Sequence, residues 1–177
     1  MTAPLNRHAQ AHLIDMVKEK LLLERIVLNN VDVNPRDMEG RNALYWAIKN
    51  KSIYNANLLI VFGSSLVVAK NTHALFHAIA CKNHAMVVLL IDKGLDVNFI
   101  DEKGKTALMY AIEAEVVDTV KFLIKKGADI YLMDDEFNMA ENYAKSTNSN
   151  IIKSYLQHLI YIDMQEASCS QNKCNCG

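Results

Sequence analysis

The chain has 177 residues, of which 51% are apolar, and its 19 Lys and Arg against 20 Asp and Glu leave a formal net charge of −1. This length corresponds to one domain with enough apolar residues for a continuous core. A net charge near zero gives no global field that attracts nucleic acid or acidic lipid, and no apolar run reaches the ~18 residues of a membrane span. Neither a nucleic-acid partner nor a transmembrane segment is therefore predicted.

The first helical pair is predicted within residues 5–29, where Leu13, Val17 and Ile26 belong to one apolar face. The residues before it lack the charged and then apolar pattern of a secretory signal. Cys81 stands alone, and the other cysteines crowd the last nine residues, which is not a disulfide framework. A reducing compartment, the cytoplasm or the nucleus, is expected.

From residue 37 onward the sequence repeats with a period of about 33 residues. Residues 101–112, DEKGKTALMYAI, are similar to residues 37–48, DMEGRNALYWAI, and residues 73–79 form a shorter copy. Equivalent positions follow one another at steps of 31, 33 and 33 residues: Asn42, His73, Thr106 and Met139. A fixed period of this size is typical of stacked repeat architectures, which favours binding over catalysis.

Each repeat is predicted to contain two helices. In the first helix, Ala43, Leu44, Ala47 and Ile48 have the spacing i, i+1, i+4 and i+5, which places them on one face. Because one repeat is too small to bury such a face alone, neighbouring repeats must stack.

Glycine and aspartate mark the predicted turns. Asp37 and Gly40, like Asp101 and Gly104, form a D-x-x-G tight turn, because Asp accepts local backbone hydrogen bonds and Gly allows positive φ. A left-handed residue is favoured where a helix ends. Such residues follow the predicted second helices: Asn30, Gly63, Gly94 and Gly127.

These segments resemble ankyrin repeats. Residues 106–111 followed by residues 120–129 are similar to the family pattern, as are residues 87–98, and the resemblance extends over about residues 5–160. It implies an all-α solenoid of about five stacked helix-turn-helix units with short β-hairpin-like fingers. The implied boundaries are an N-terminal capping repeat at 1–36, ankyrin repeats at 37–67, 68–100 and 101–133, a C-terminal capping repeat at 134–163, and a flexible Cys-containing tail at 164–177.

The sequence also departs from the family pattern. The glycine that the family places between the two helices is replaced by Lys51, Lys82 and Glu115. The repeat that begins at residue 68 has no D-x-x-G turn, and we expect less rigidity around residues 51–72.

The sequence contains no motif for catalysis or cofactor binding, so no enzyme activity, cofactor or metal site is predicted. His73 and His77 have a spacing that can hold a metal, but His73 occupies the usual threonine position, where a polar side chain bonds the local backbone. The resemblance instead implies a monomer that binds one or more partner proteins through the concave helix face and the finger tips.

The predicted partner-binding residues combine rings of the first helices, finger-tip residues and nearby charges. They are Trp46, Lys49, Phe99, Ile100, Glu102, Tyr110, Glu113, Tyr131, Leu132, Met133, Asp134 and Asp135. Two alternatives stay open at this point. Trp46 and Tyr110 can instead serve as packing, and Phe99 and Leu132 can turn inward.

Three further predictions concern modification and biology. Asn34 and Asn98 each end a D-V-N motif, which in similar proteins staples the turn and is also a site for an oxygen-sensing asparaginyl hydroxylase. Cys174 and Cys176 are candidates for lipidation, which would make the protein a lipid-anchored scaffold, although an unmodified tail is the simpler interpretation. Residues 42–48 and 101–112 are similar to poxviral host-range ankyrin repeats, which implies a viral or bacterial effector that sequesters a host signalling protein in the manner of an NF-κB inhibitor.

Overall fold

The computed structural model describes residues 5–24, 28 and 31–173. The chain divides into two compact units, which we call the N-terminal unit, residues 1–99, and the C-terminal unit, residues 100–177. The all-α fold expected from the repeat pattern is confirmed. Most of the second helix predicted for the first repeat, including Ile26 and Asn30, lies outside the described residues.

In the N-terminal unit, helices of successive repeats pack in register. Helix α2 contacts both α1 and α4, and α3 contacts α5, so first helices lie against first helices and second against second. The elements of this unit are α1 (Leu5–Lys18), α2 (Ala43–Lys49), α3 (Ile53–Val61), β1 (Val67–Ala69), β2 (Thr72–His73), α4 (Ala74–Ala80) and α5 (His84–Asp92).

The C-terminal unit repeats this arrangement with α6 against α8 and α7 against α9. Its helices are α6 (Ala107–Glu113), α7 (Val117–Lys125), α8 (Ala140–Ser146) and α9 (Asn150–Lys173). Helix α9 continues beyond residue 163, so the expectation that the flexible tail begins at residue 164 is wrong for residues 164–173. The helix continues because this stretch contains no Gly or Pro to end it. Residues 174–177 lie outside the described residues.

The core contains the faces that the spacing predicted. Ala43, Leu44, Ala47 and Ile48 are all fully buried, and so are Ala107, Leu108, Ala111 and Ile112 in α6. Small alanines between the larger side chains let the neighbouring first helix approach closely. The shared face therefore fixes which side of each helix remains available to solvent.

The first and the second helices end in the same left-handed backbone geometry, but different residue types adopt it. After the second helices, Gly63, Gly94 and Gly127 have φ of 82°, 94° and 90°, as predicted. After the first helices, the same left-handed position holds residues with a side chain, at φ between 49° and 62°: Lys20, Lys51, Lys82 and Glu115. In both sets the backbone N–H of the left-handed residue donates to the carbonyl three residues earlier. A left-handed residue with a Cβ costs about 1 kcal/mol or more, so the first-helix ends are strained and the second are not.

The finger of the repeat at 68–100 differs from the others. Strands β1 and β2 pair antiparallel, with Val67 opposite His73, and Asn71 at φ 52° makes the turn. A strand pair thus replaces the D-x-x-G turn. The short fingers implied by the resemblance are present here and at the bridge between Ile100 and Thr106.

Candidate functional site

A finger precedes each of the first helices at 43–49, 107–113 and 140–146, and an aspartate accepts the hydrogen bonds that form its turn. Asp101 Oδ1 accepts hydrogen bonds from the backbone N–H groups of Lys103 and Lys105, at 2.9 and 2.8 Å. Asp37 does the same for residues 39 and 41, and Asp134 for residues 136 and 138. The last finger therefore keeps the turn of the others although its sequence lacks the final glycine.

The second carboxylate oxygen of each aspartate binds an aromatic side chain nine residues later. Trp46 Nε1 donates to Asp37 Oδ2 at 3.0 Å, and the Tyr110 hydroxyl donates to Asp101 Oδ2 at 2.8 Å. The Tyr143 hydroxyl donates to Asp134 Oδ2 in the same way. The polar atoms of these predicted contact residues are thus engaged within their own repeats, and Asp134 is buried. Contact of Trp46, Tyr110 and Asp134 with a partner stays a prediction, and the rings of Trp46 and Tyr110 are themselves partly buried.

These pairs shift the ionisation of both partners. Burial opposes the charge on Asp101, but the hydrogen bonds from Tyr110, Lys105 and Lys103 outweigh it and lower the pKa of the carboxyl group. Burial and the neighbouring carboxylate raise the pKa of Tyr110 to about 12. For Asp134, the hydrogen bond from Tyr143 is the main cause of a lowered pKa. At neutral pH each pair is therefore a carboxylate held by a neutral donor.

Cationic side chains lie over the aromatic rings of Trp46, Tyr110 and Tyr143. Lys105 Nζ lies 4.5 Å from the ring centre of Tyr110 and 4.6 Å from that of Tyr143, and it forms a 2.7 Å ion pair with Glu113. Around Trp46, the cationic groups of Lys18, Arg41 and Lys49 lie 5.0, 4.6 and 4.9 Å from the ring centre. These contacts order long charged side chains along the face of the first helices.

A groove of about 540 Å³ lies beside the fingers of the C-terminal unit. Its charged lining consists of four carboxylates and two lysines: Glu113, Asp134, Asp135, Glu136, Lys103 and Lys105. Because Lys105 is already paired with Glu113, the remaining lining has three carboxylates against one lysine, Lys103, and its net charge is negative. Asp135 and Glu136 are the exposed carboxylates. The groove is suited to a positively charged segment.

The predicted finger-tip residues fall into two groups. Ile100, Tyr131 and Met133 are about half exposed, at 50%, 48% and 54%, whereas Leu132 is partly buried. Glu102 and Asp135 are exposed. Phe99 turns partly inward, because its ring stacks on His73 with centres 4.4 Å apart and lies 5.7 Å from the ring centre of Phe76.

Sequence reasoning missed the most exposed finger-tip ring, Phe137. It occupies the position of Gly40 and Gly104 in the last finger, adopts φ of 63°, and is 78% exposed. The sequence does contain a signal for this residue. Residues 134–137, D-D-E-F, align with the D-x-x-G turns, and the alignment places a bulky ring where the turn favours glycine.

A second group that was missed consists of asparagines in the N-terminal unit, of which Asn55 and Asn83 are buried and Asn50 is partly buried. Asn55 Oδ1 accepts from Leu23 N at 3.0 Å, and its Nδ2 donates to Leu21 O at 2.8 Å. Asn50 donates to Val17 O and Asn83 to Ile48 O, so each amide satisfies backbone of the preceding repeat. Asparagine is frequent in turns, and nothing in its local sequence distinguishes these residues.

The two candidate hydroxylation sites lie in turns. Asn34 Nδ2 donates to Gly63 O at 3.3 Å, and its Oδ1 accepts from Ser65 N at 2.6 Å, so the side chain staples its turn to the next repeat. Asn98 N donates to Asp96 Oδ1 at 2.9 Å. Hydroxylation of either residue stays a prediction. The candidate lipidation sites, Cys174 and Cys176, lie outside the described residues.

His73 and His77, the two histidines with metal-ligand spacing, both contact other protein groups. His73 Nδ1 accepts from Leu75 N at 3.3 Å as the N-cap of α4, and the ring of His77 stacks on Tyr45 with centres 4.1 Å apart. Across residues 5–24, 28 and 31–173, no group of three or more His, Cys, Asp or Glu has the arrangement of a metal site. Over the same part of the chain, no helix is both long and apolar enough to cross a membrane.

Comparison with known proteins agrees with the repeat pattern. Residues 57–134 match the family model described as ankyrin repeats (3 copies), which confirms the resemblance. No curated protein matches the chain.

Proposed function

Because residues 57–134 of this chain belong to the ankyrin repeat family of protein–protein interaction modules, we propose that the protein binds a partner protein and does so without catalysis. The contact surface in this proposal is the last finger and the groove of the C-terminal unit. A stiff repeat array presents such a surface preformed, so little conformational entropy is lost on docking.

The observation that carries the proposal is the position of Phe137. A left-handed backbone costs a residue with a side chain about 1 kcal/mol or more, and an aromatic ring exposed to water adds no packing in return. Glycine would make the same turn without strain, as it does at Gly40 and Gly104. A ring held at 78% exposure on such a turn is suited to insert into a pocket of another protein.

The charged residues beside Phe137 indicate the chemistry of the partner's pocket. Asp135 and Glu136 precede Phe137 and line the groove, while Met133 is 54% exposed on the same finger. A partner with an apolar pocket and a basic rim complements this arrangement, since opposite charges raise the association rate and select the partner.

Exchange of Phe137 for glycine tests the proposal. The Phe137→Gly variant keeps the aspartate-based turn and relieves its strain, so we expect it to fold at least as stably as wild type and to lose the partner protein. Affinity purification with wild type and variant, followed by calorimetry with the recovered partner, measures the loss. Met38→Gly is the matched control, because Met38 is a fully exposed apolar residue on a finger of the N-terminal unit. Recovery of the same proteins, with equal affinity, by wild type and Phe137→Gly would refute the proposal.

Two finer versions of this function come from the sequence alone. In the first, the partner is a host signalling protein sequestered by a viral or bacterial effector, and purification from host cells identifies it. In the second, the protein is a scaffold anchored by lipid at Cys174 or Cys176, and mass spectrometry of the native C-terminus decides that version directly.

A further inference from the structure

A second surface lies in the N-terminal unit at the bends between the paired helices. Lys20, Lys51 and Lys82 each occupy the left-handed position after a first helix, with φ of 62°, 58° and 49°. All three are exposed, and their side chains form no ion pair or hydrogen bond with the described residues. We call them the bend lysines. Each adopts a strained backbone that glycine would avoid, and its ammonium group is exposed to solvent.

Hydrogen bonds show that the three bends are neighbours. Asn50, beside Lys51, donates to the carbonyls of Val17 and Lys18 at 2.7 and 3.3 Å. Asn83, beside Lys82, donates to the carbonyl of Ile48 at 3.3 Å. Each bend is therefore fixed to the end of the preceding first helix. Packed helices lie about 10 Å apart, so the bend lysines form a column roughly 20 Å long.

The charge around this column is positive. Lys49 is exposed next to the middle bend, and the positive charges of Lys49 and Lys51 both act to lower the pKa of Cys81, the residue before Lys82, although burial raises it overall. Residues 1–99 contain eleven Lys and Arg against eight Asp and Glu, whereas residues 100–177 contain eight against twelve. At the equivalent bend of the C-terminal unit the side chain is Glu115, which has the opposite sign.

We propose that the bend lysines form a binding surface for an extended acidic segment of a partner protein. A chain in the polyproline II conformation rises about 3.1 Å per residue with three residues per turn, so carboxylates at every third position lie on one side, about 9 Å apart, and can each meet one lysine of the column. A nucleic-acid strand is less favoured, since the whole chain has a formal net charge of −1 and therefore no global positive field to attract phosphates. This surface differs from the last finger, so the inference goes beyond the proposed function and does not depend on it.

A labelled peptide tests the surface directly. The probe is a fluorescein-labelled peptide with glutamate at every third position, and its control peptide has glutamine at those positions. Fluorescence anisotropy with the full chain should show binding of the glutamate peptide that weakens as salt is raised, because the charges are exposed. The control peptide should bind at least several-fold more weakly. Equal binding of the two peptides would overturn the proposal.

The matched variants remove two charges each. Lys51→Gly/Lys82→Gly should weaken binding of the glutamate peptide roughly five- to tenfold at low salt, because each lysine contributes one exposed ion pair. Since glycine suits these backbone positions, misfolding does not account for such a loss. Lys70→Gln/Lys93→Gln removes two other exposed lysines of the same unit and should change binding less than twofold.

Three results would contradict the inference. Unchanged binding by Lys51→Gly/Lys82→Gly would exclude the bends as the site. An equal loss in Lys70→Gln/Lys93→Gln would reduce the effect to net charge. Stronger competition by an oligodeoxynucleotide than by an unlabelled glutamate peptide of equal charge would identify the surface as a phosphate-binding one instead.

Discussion

The two units differ in their polar contacts: amides join successive repeats in the N-terminal unit, whereas carboxylates fix turns within single repeats in the C-terminal unit. In the N-terminal unit, neutral amides such as Asn55 and Asn83 bond to buried backbone of the preceding repeat. In the C-terminal unit, the carboxylates of Asp101 and Asp134 each bind a turn and a tyrosine hydroxyl. Amides keep their hydrogen bonds at any pH, whereas carboxylates keep theirs only while ionised. The N-terminal unit has one such aspartate, Asp37, and the C-terminal unit has two, so the C-terminal unit should be the more sensitive to acid.

The largest effect is expected where an amide is fully buried. Asn55→Ala leaves Leu23 N and Leu21 O without their partners, which should lower the free energy of unfolding by about 3 kcal/mol. Chemical denaturation followed by the fluorescence of Trp46, the single tryptophan, reports on this unit. Asn34→Ala is the control, because Asn34 is exposed and water can replace its bonds; its loss should stay near 1 kcal/mol. Equal losses would mean that burial does not distinguish the two asparagines.

The corresponding change in the C-terminal unit is Asp101→Ala. It removes two turn hydrogen bonds and the bond from Tyr110 at a partly exposed site, and should cost about 2 kcal/mol at pH 7. Tyr110→Phe removes only the last bond and should cost about 1 kcal/mol. Urea denaturation followed by far-UV circular dichroism measures both, and an equal cost would show that the turn bonds contribute little.

The two units should also differ in the pH at which they lose stability. The pKa values of Asp101 and Asp134 are lowered in the folded protein, so both stabilise it above the unfolded pKa near 4, and this contribution is lost as pH falls through the folded values. Asp37 contributes similarly in the N-terminal unit, as a single residue. The hydrogen-exchange signal of backbone amides in the C-terminal unit should therefore change at a higher pH than the signal of those in the N-terminal unit. Coincident transitions in both signals would contradict this prediction.

Two glycines with nearly the same φ give a matched comparison between the units. A Cβ at Gly104 (φ 72°) would lie 3.2 Å from Asp134 Cα and 3.3 Å from Asp135 N, whereas a Cβ at Gly40 (φ 75°) would meet no atom within 4 Å. Gly104→Ala should cost about 2 kcal/mol and Gly40→Ala about 1 kcal/mol, because only the first adds a clash to the strain. Thermal melts measure the difference, and equal shifts would mean that the neighbouring finger moves freely.

The smallest effect has the opposite sign. Lys51→Gly and Lys82→Gly should each stabilise the N-terminal unit by roughly 0.5 kcal/mol, since relief of the left-handed strain exceeds the entropy that glycine adds to the unfolded chain. Glu115→Gly should gain less, because the Glu115 carboxylate accepts a hydrogen bond from Asn148 N. Denaturation midpoints measure these shifts. A loss of stability at Lys51 or Lys82 would show that the lysines have a structural role.

Much of the fold could be predicted because repetition made each local signal appear several times. The alanine and leucine faces of α2 and α6 came from spacing, and Gly63, Gly94 and Gly127 came from the geometry of helix ends. Both depend on interactions within a few residues, which sequence encodes directly. The end of α9 was placed too early, because the composition of residues 164–173 was interpreted as a tail although it lacks any helix breaker.

The sequence by itself determined the period, the buried faces and the residues that turn the chain. Only the tertiary structure decided which groups individual side chains contact and which side chains are exposed. It showed that Trp46 and Tyr110 bind their own finger aspartates and that Asn55 bonds a loop more than thirty residues away. It also showed that Phe137 and the bend lysines adopt strained backbones while their side chains are exposed. Packing periodicity is a local property of the chain, whereas the partner of a polar side chain depends on which distant backbone groups the fold leaves unpaired.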